Sequence, residues 1–242
     1  MTYHILNGDA LLNQFPNIEG TIIICRECMI DGPIQGKDES VFFDHRAQFI
    51  ADYFDTSEEN YNDKCLKELF KMDLITSDDE INLWFEDDLF CQSNLWFIIH
   101  MLCTRGLNKI SLVRPNHNGW MGFGSMNTTA LKEVYDSRIS IGSQSSQHFS
   151  ELWKAYQHEN ISQMKEMALY LRAIVPRLPQ VIKAHADRNR GSISEGRPEK
   201  ALRALKEKGF KDFGEVFNWF SENEGIYGYG DLQIEKMWDR IK

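Results

Sequence analysis

Long apolar runs are missing from this chain. No stretch of about 18 apolar residues occurs, so no membrane-spanning helix is expected. The opening Met1-Thr2-Tyr3-His4-Ile5-Leu6-Asn7 lacks the basic stretch, apolar core and small-residue cleavage site of a secretory signal. Cysteine is sparse and odd in number, with five residues at 25, 28, 65, 91 and 103. Without an export signal, that count points to reduced thiols. A cytoplasmic location is the expectation. Cys25-Arg26-Glu27-Cys28 has CxxC spacing, but a turn rather than a helix follows it, and no second pair completes a zinc site. Two ordinary thiols is the preferred reading. Neither GxGxxG nor GxxxxGK[ST] is present, and no Ser/His/Asp set assembles around Ser125, Ser143, Ser145 or Ser146. Excess positive charge is lacking too: the net charge of −9 argues against broad nucleic-acid binding. No internal repeat, heptad or low-complexity tract breaks the chain.

What the chain has is length and apolar residues in short blocks. Its 242 residues, 42% hydrophobic and 12% aromatic, suffice for a core without metals or disulfides. Tyr3–Leu6, Thr21–Cys25, Glu80–Phe85 and Asn108–Val113 read as strands. The β-branched run Thr21-Ile22-Ile23-Ile24 suits a strand buried on both faces. Ala10-Leu11-Leu12 has helical character, with Asp9 as its N-cap. Further helices are expected over 46–54, 60–72 and 89–103. Strands alternating with helices imply βαβ units and a mostly parallel sheet. Beyond about residue 125 the strand signal fades, and 146–172, 176–188, 198–208, 212–222 and 231–241 read as helices. The expected architecture is α/β: a Rossmann-like domain over 1–125 and a helical C-terminal region over 126–242.

Ligands of open parallel sheets sit beyond the carboxyl ends of the strands. Each expected strand stops at a polar group: Asn7-Gly8-Asp9, Arg26-Glu27, Glu86-Asp87-Asp88, and Arg114 with Asn116. The following loops add Asp31, His45, Arg46, Gln92, Asn94, His117 and Trp120. Arg26, Arg46 and Arg114 have the planar fork that grips phosphate or carboxylate. Asp9, His45 and Asp88 are the candidate catalytic residues, with His45 suited to acid–base work. Asn7, Gly8, Arg26, Asp31, Arg46, Glu86, Gln92 and Arg114 are the candidate ligand-binding set. No residue is assigned to a metal; Mg²⁺ on Asp9, Glu86 and Asp88 is the open alternative. The bland reading is that these are helix caps and ordinary polar loops. Gly119-Trp120-Met121-Gly122-Phe123-Gly124 reads as a flexible loop with aromatic anchors, or as a lid.

Three of these segments, in order, carry a likeness. His4-Ile5-Leu6-Asn7-Gly8-Asp9, Asp31-Gly32-Pro33 and Leu83-Trp84-Phe85-Glu86-Asp87-Asp88-Leu89-Phe90-Cys91-Gln92-Ser93-Asn94-Leu95 resemble the bacterial domain-of-unknown-function family numbered eighteen-thirty-five. Gly191, Glu195 or Glu199, and Gly230-Asp231 are similar to the helical part that accompanies that domain. The resemblance implies that Asn7, Gly8, Asp9, Asp31, Gly32, Pro33, Trp84, Asp88 and Gln92 are motif positions. It supplies no activity.

Two expectations of function remain. One is an enzyme or binding protein for a phosphorylated or nucleotide-like anion at the strand ends. The other rests on residues 172–211, which hold eleven Lys/Arg against four Asp/Glu, a local net of +7. That segment would bind nucleic acid or a protein partner, unless its cations form a solvated face or pair with the acidic remainder.

Overall fold

The computed structural model describes residues 1–116, 119–188 and 195–241. Its centre is a five-stranded sheet of order β2-β1-β3-β4-β5, built from β1 (Thr2–Asn7), β2 (Thr21–Cys25), β3 (Glu80–Trp84), β4 (Ile110–Val113) and β5 (Ile139–Ile141). The first four strands are parallel, and β5 runs antiparallel to β4. The expected α/β class, mostly parallel sheet and helical C-terminal region are therefore present. β5 was not expected. Three residues are too few to show an alternating pattern, and only the register Ile110↔Ile141 to Leu112↔Ile139 makes them a strand.

Side-chain alternation sends the two faces of the sheet into different cores. Ile5, Ile23, Ile81, Leu83 and Leu112 face a large cluster shared with α1 (Glu39–Phe54), α4 (Leu89–Thr104) and α6 (Ser143–Gln157). Leu6, Trp84 and Val113 face a small cluster closed by Phe123 and α5 (Thr128–Asp136). Trp84 donates to His4 Nδ1 at 3.2 Å there, so this tryptophan packs away from the large cluster.

Several helix boundaries moved, each for a local reason. α1 begins at Glu39 rather than near residue 46, because Asp38 accepts a hydrogen bond from Val41 N and caps it. Asp9 caps no helix. Leu12–Gln14 forms a single 3₁₀ turn, and the Asp9 carboxylate is taken by Arg26. The span expected over 60–72 is a chain of short turns, α2 (Glu58–Tyr61), a π-turn over Asn62–Leu66, α3 (Lys67–Leu69) and a 3₁₀ turn to Leu74. The helix expected over 146–172 is two: α6, then α7 (Ile161–Leu171). Glu159 takes a positive φ of 52°, and Asn160 caps α7 through Gln163 N.

The remaining helices are α8 (Leu178–Asp187), α9 (Arg197–Glu207), α10 (Phe213–Asn223) and α11 (Asp231–Arg240). One apolar cluster runs from Tyr3 to Ile241, and the sheet itself continues past the 125/126 division. Among the described residues, no helix is long and apolar enough to cross a membrane.

Candidate functional site

The chain leaves β1 toward β2 on one side and returns to form β3 on the other. The carboxyl ends of β1 and β3 therefore flank a topological switch point, where open sheets leave a crevice. With the strands parallel, the four polar groups end on one edge as expected.

A compact polar cluster fills the switch point. Asn7 Nδ2 donates to Cys91 Sγ at 2.9 Å, and Asn94 Nδ2 donates to Asn7 Oδ1 at 2.8 Å and to the Glu27 carbonyl. Asn94 Oδ1 accepts from Met29 N, tying the loop after β2 to α4. Gly8 N donates to the Cys25 carbonyl, with a left-handed φ of 80°. Asp88 caps α4 by accepting from Cys91 N at 2.9 Å. Gln92 Nε2 donates to the Glu86 carbonyl, and its Oε1 accepts from Trp96. Glu86 accepts from Phe123 N at 2.5 Å. The 119–124 loop is thus packed onto the end of β3. Gly122 lies so close to Glu86 that a Cβ would sit 1.8 Å from Oε1.

Burial raises the Asp88 carboxyl above its ordinary range and pushes the Cys91 thiol well up. Asp88 is therefore suited to hold a proton, and Cys91 is not an activated nucleophile. Ligand atoms of Glu86, Asp88 and Cys91 all lie within 4.8 Å of one another. These are the residues on which a cation could sit. The thiol among them suits a softer ion than Mg²⁺, which takes oxygen ligands. Asp9, the third oxygen donor expected for Mg²⁺, is committed to Arg26 instead.

The arginines expected to grip an anion already hold carboxylates. Arg26 meets Asp9 through two bonds of 2.7 Å, which keeps the Asp9 carboxyl low. Arg46 holds Glu27 at 3.0 Å, with both side chains fully buried. It also donates to the carbonyls of Cys28, Asp31 and Pro33, while Tyr61 donates to the other Glu27 oxygen. Arg114 holds Asp87, with Nε–Oδ1 at 3.0 Å. Asp31 is held from the other end of the chain, by Arg188 at 2.8 Å and by Gln233. His45 is exposed on α1, its Nδ1 3.2 Å from the Gln35 carbonyl, and does not join the cluster. Asn116 is exposed, and His117 lies outside the described residues.

Beside the cluster, beyond β2, opens a cavity of about 540 Å³. Arg26, Glu27 and Cys28 form its floor, Ile50, Phe54 and Phe90 an apolar wall, and Gly228 with residues 230–233 the far side. Of the expected ligand-binding set, Arg26 lines it. The apolar wall and the C-terminal side were not foreseen. Phe54 and Phe90 read as core in one dimension, and nothing local announces that residues 228–233 return to β2.

The basic segment is largely engaged. Arg177 lies 3.9 Å from Asp87, Lys183 pairs with Asp187, Arg197 with Glu224 and Arg203 with Glu195. Arg172, Lys200, Lys208 and Lys211 are exposed. Residues 189–194 of this segment lie outside the described residues. No family model matches this chain, and no match emerges among curated proteins or solved structures.

Proposed function

We propose that this protein binds a phosphorylated or nucleotide-like small molecule in the cavity at the carboxyl end of β2, with Arg26 as its anion grip. The carrying observation is the cavity itself: about 540 Å³, an apolar wall, and a guanidinium at the strand edge. That size falls in the range of roughly 300–1,000 Å³ that small-molecule sites occupy.

Magnitudes single out Arg26. Opening the buried Arg46–Glu27 pair leaves an uncompensated charge, at about 3–5 kcal/mol. The Arg26–Asp9 pair is part-exposed, with side chains 30% and 58% accessible, and such pairs contribute only about 0–1 kcal/mol. A phosphate therefore displaces Asp9 from Arg26 at little cost. Asp9 then acts as the gate on the guanidinium. In an enzymatic version of this reading, Asp88 is the proton-holding acid at the neighbouring switch point.

Thermal melting with sugar phosphates and nucleotides tests the proposal. A binder at 100 times its dissociation constant adds about 2.7 kcal/mol of stability. Arg26→Ala is expected to remove the shift and Asp9→Asn to enlarge it, because the amide releases the guanidinium. If no compound raises the melting temperature of wild type or of Asp9→Asn, the proposal fails.

A further inference from the structure

Three helices line the cavity beyond β2 with carbon. Ile50 and Phe54 stand four residues apart on α1 and so share one face. Phe90 lies in the first turn of α4, and Leu232 in the first turn of α11. Ile50, Phe54 and Phe90 are half-buried, and Leu232 is 50% exposed. The polar side chains of the same lining are spent on the protein itself. Glu27 holds Arg46 and accepts from Tyr61. Gln233 accepts from Gly230 N and donates to Asp31. Asn60 donates to Thr56 Oγ1 at 2.7 Å, and Asp231 accepts from Leu232 N at 2.8 Å. Arg26 differs: its partner Asp9 is 58% accessible, and a phosphate displaces it at little cost. A ligand in this cavity meets one guanidinium and otherwise mostly carbon.

Taking Arg26 as the anion grip proposed above, we infer that the ligand of this cavity is the phosphate monoester of an apolar alcohol, with a short alkyl or prenyl chain, and not a nucleotide or a sugar phosphate. A sugar or a base carries several donors and acceptors that water satisfies. Against this wall each one left unbonded costs about tenfold in affinity. An alkyl chain gives up no hydrogen bond, and each methylene it buries gains about fourfold. A cavity of about 540 Å³ has room for such a chain beyond the phosphate. The phosphate sits on Arg26, and the chain runs over Phe54 and Phe90 toward Leu232.

Calorimetric titration of the full chain with methyl, butyl and hexyl phosphate, beside AMP and glucose 6-phosphate, tests the inference. Affinity is expected to climb about fourfold per added carbon from methyl to hexyl phosphate, and hexyl phosphate is expected to bind more tightly than AMP or glucose 6-phosphate. Leu232→Asn is expected to cost hexyl phosphate about fivefold more than it costs methyl phosphate, and its exposed position lets the variant fold. Arg26→Ala is expected to remove binding of the whole series. Affinity that is flat along the series overturns the inference, as does equal weakening of methyl and hexyl phosphate by Leu232→Asn. Tighter binding of AMP or glucose 6-phosphate than of hexyl phosphate, lost in Arg26→Ala, also overturns it while leaving the anion grip standing. Binding of none of the five to wild type or to Asp9→Asn overturns both.

Discussion

The backbone of Gly228 lies on the carboxylate of Asp88, so close that a Cβ at 228 would stand 1.9 Å from Oδ1. Gly228 also has a φ of 64°, in the left-handed region that costs other residues strain. The C-terminal segment thus packs directly onto the switch point of the sheet. Gly228→Ala is expected to lose about 2 kcal/mol or more, from backbone strain and from displacement of a buried helix cap. Urea unfolding against wild type measures it; a loss below about 0.5 kcal/mol, as at an ordinary surface site, contradicts the contact.

Arg46 and Glu27 form the fully buried pair under the loop after β2. Arg46→Met strands the Glu27 carboxylate and is expected to cost about 3–5 kcal/mol. Arg46→Met combined with Glu27→Gln is expected to recover part of that, because no charge is left buried. Recovery stays incomplete, because the carbonyls of Cys28, Asp31 and Pro33 still lack their donor. Equilibrium unfolding of both variants decides; equal losses count against the pair as an electrostatic unit.

Asp31 and Arg188 join the loop after β2 to the segment after α8, 157 residues apart in sequence. Alanine at either position removes the same charge-assisted bond, worth about 1.5–3 kcal/mol. Asp31→Ala also loses the Gln233 bond and Arg188→Ala the bond to the Ile30 carbonyl, so the double variant is expected to lose less than the sum of the two single losses, by about the worth of the shared bond. Additive losses in unfolding free energy show that the two act separately.

His100 on α4 sits 2.8 Å from the Ser150 hydroxyl of α6. Burial, helped by the nearby Lys154 charge, holds its imidazole down to about 4. The unfolded chain takes up the proton near pH 6.5, before the folded chain does. The resulting stability is present above about pH 6.5 and drains as pH falls toward 4. His100→Gln is expected to lose less stability than wild type between pH 7 and pH 4.5 in denaturant titrations. Parallel losses in the two proteins remove His100 as the cause.

The four parallel strands were readable because each is a short apolar run stopped by polar residues, a pattern held within a few neighbouring positions. That same pattern put Asn7, Arg26, Glu86 and Arg114 on one edge, and pairing confirms the parallel alignment that requires. Partner choice was not readable. Charge alone does not say that Arg46 meets Glu27 rather than Asp31, or that Asp31 waits for Arg188. Those bonds link residues 19 and 157 positions apart, and only packing decides them.

By itself the sequence determined the α/β class, the strand ends and the reading of the five thiols as unpaired cysteines, which are free in the structure. The tertiary structure decided that β5 joins the sheet, that the arginines are already matched to carboxylates, and that Gly228 and residues 230–233 wall the cavity beyond β2. Periodicity is a property of neighbours along the chain. A pocket is a property of neighbours in space, brought together here by one core that runs from Tyr3 to Ile241.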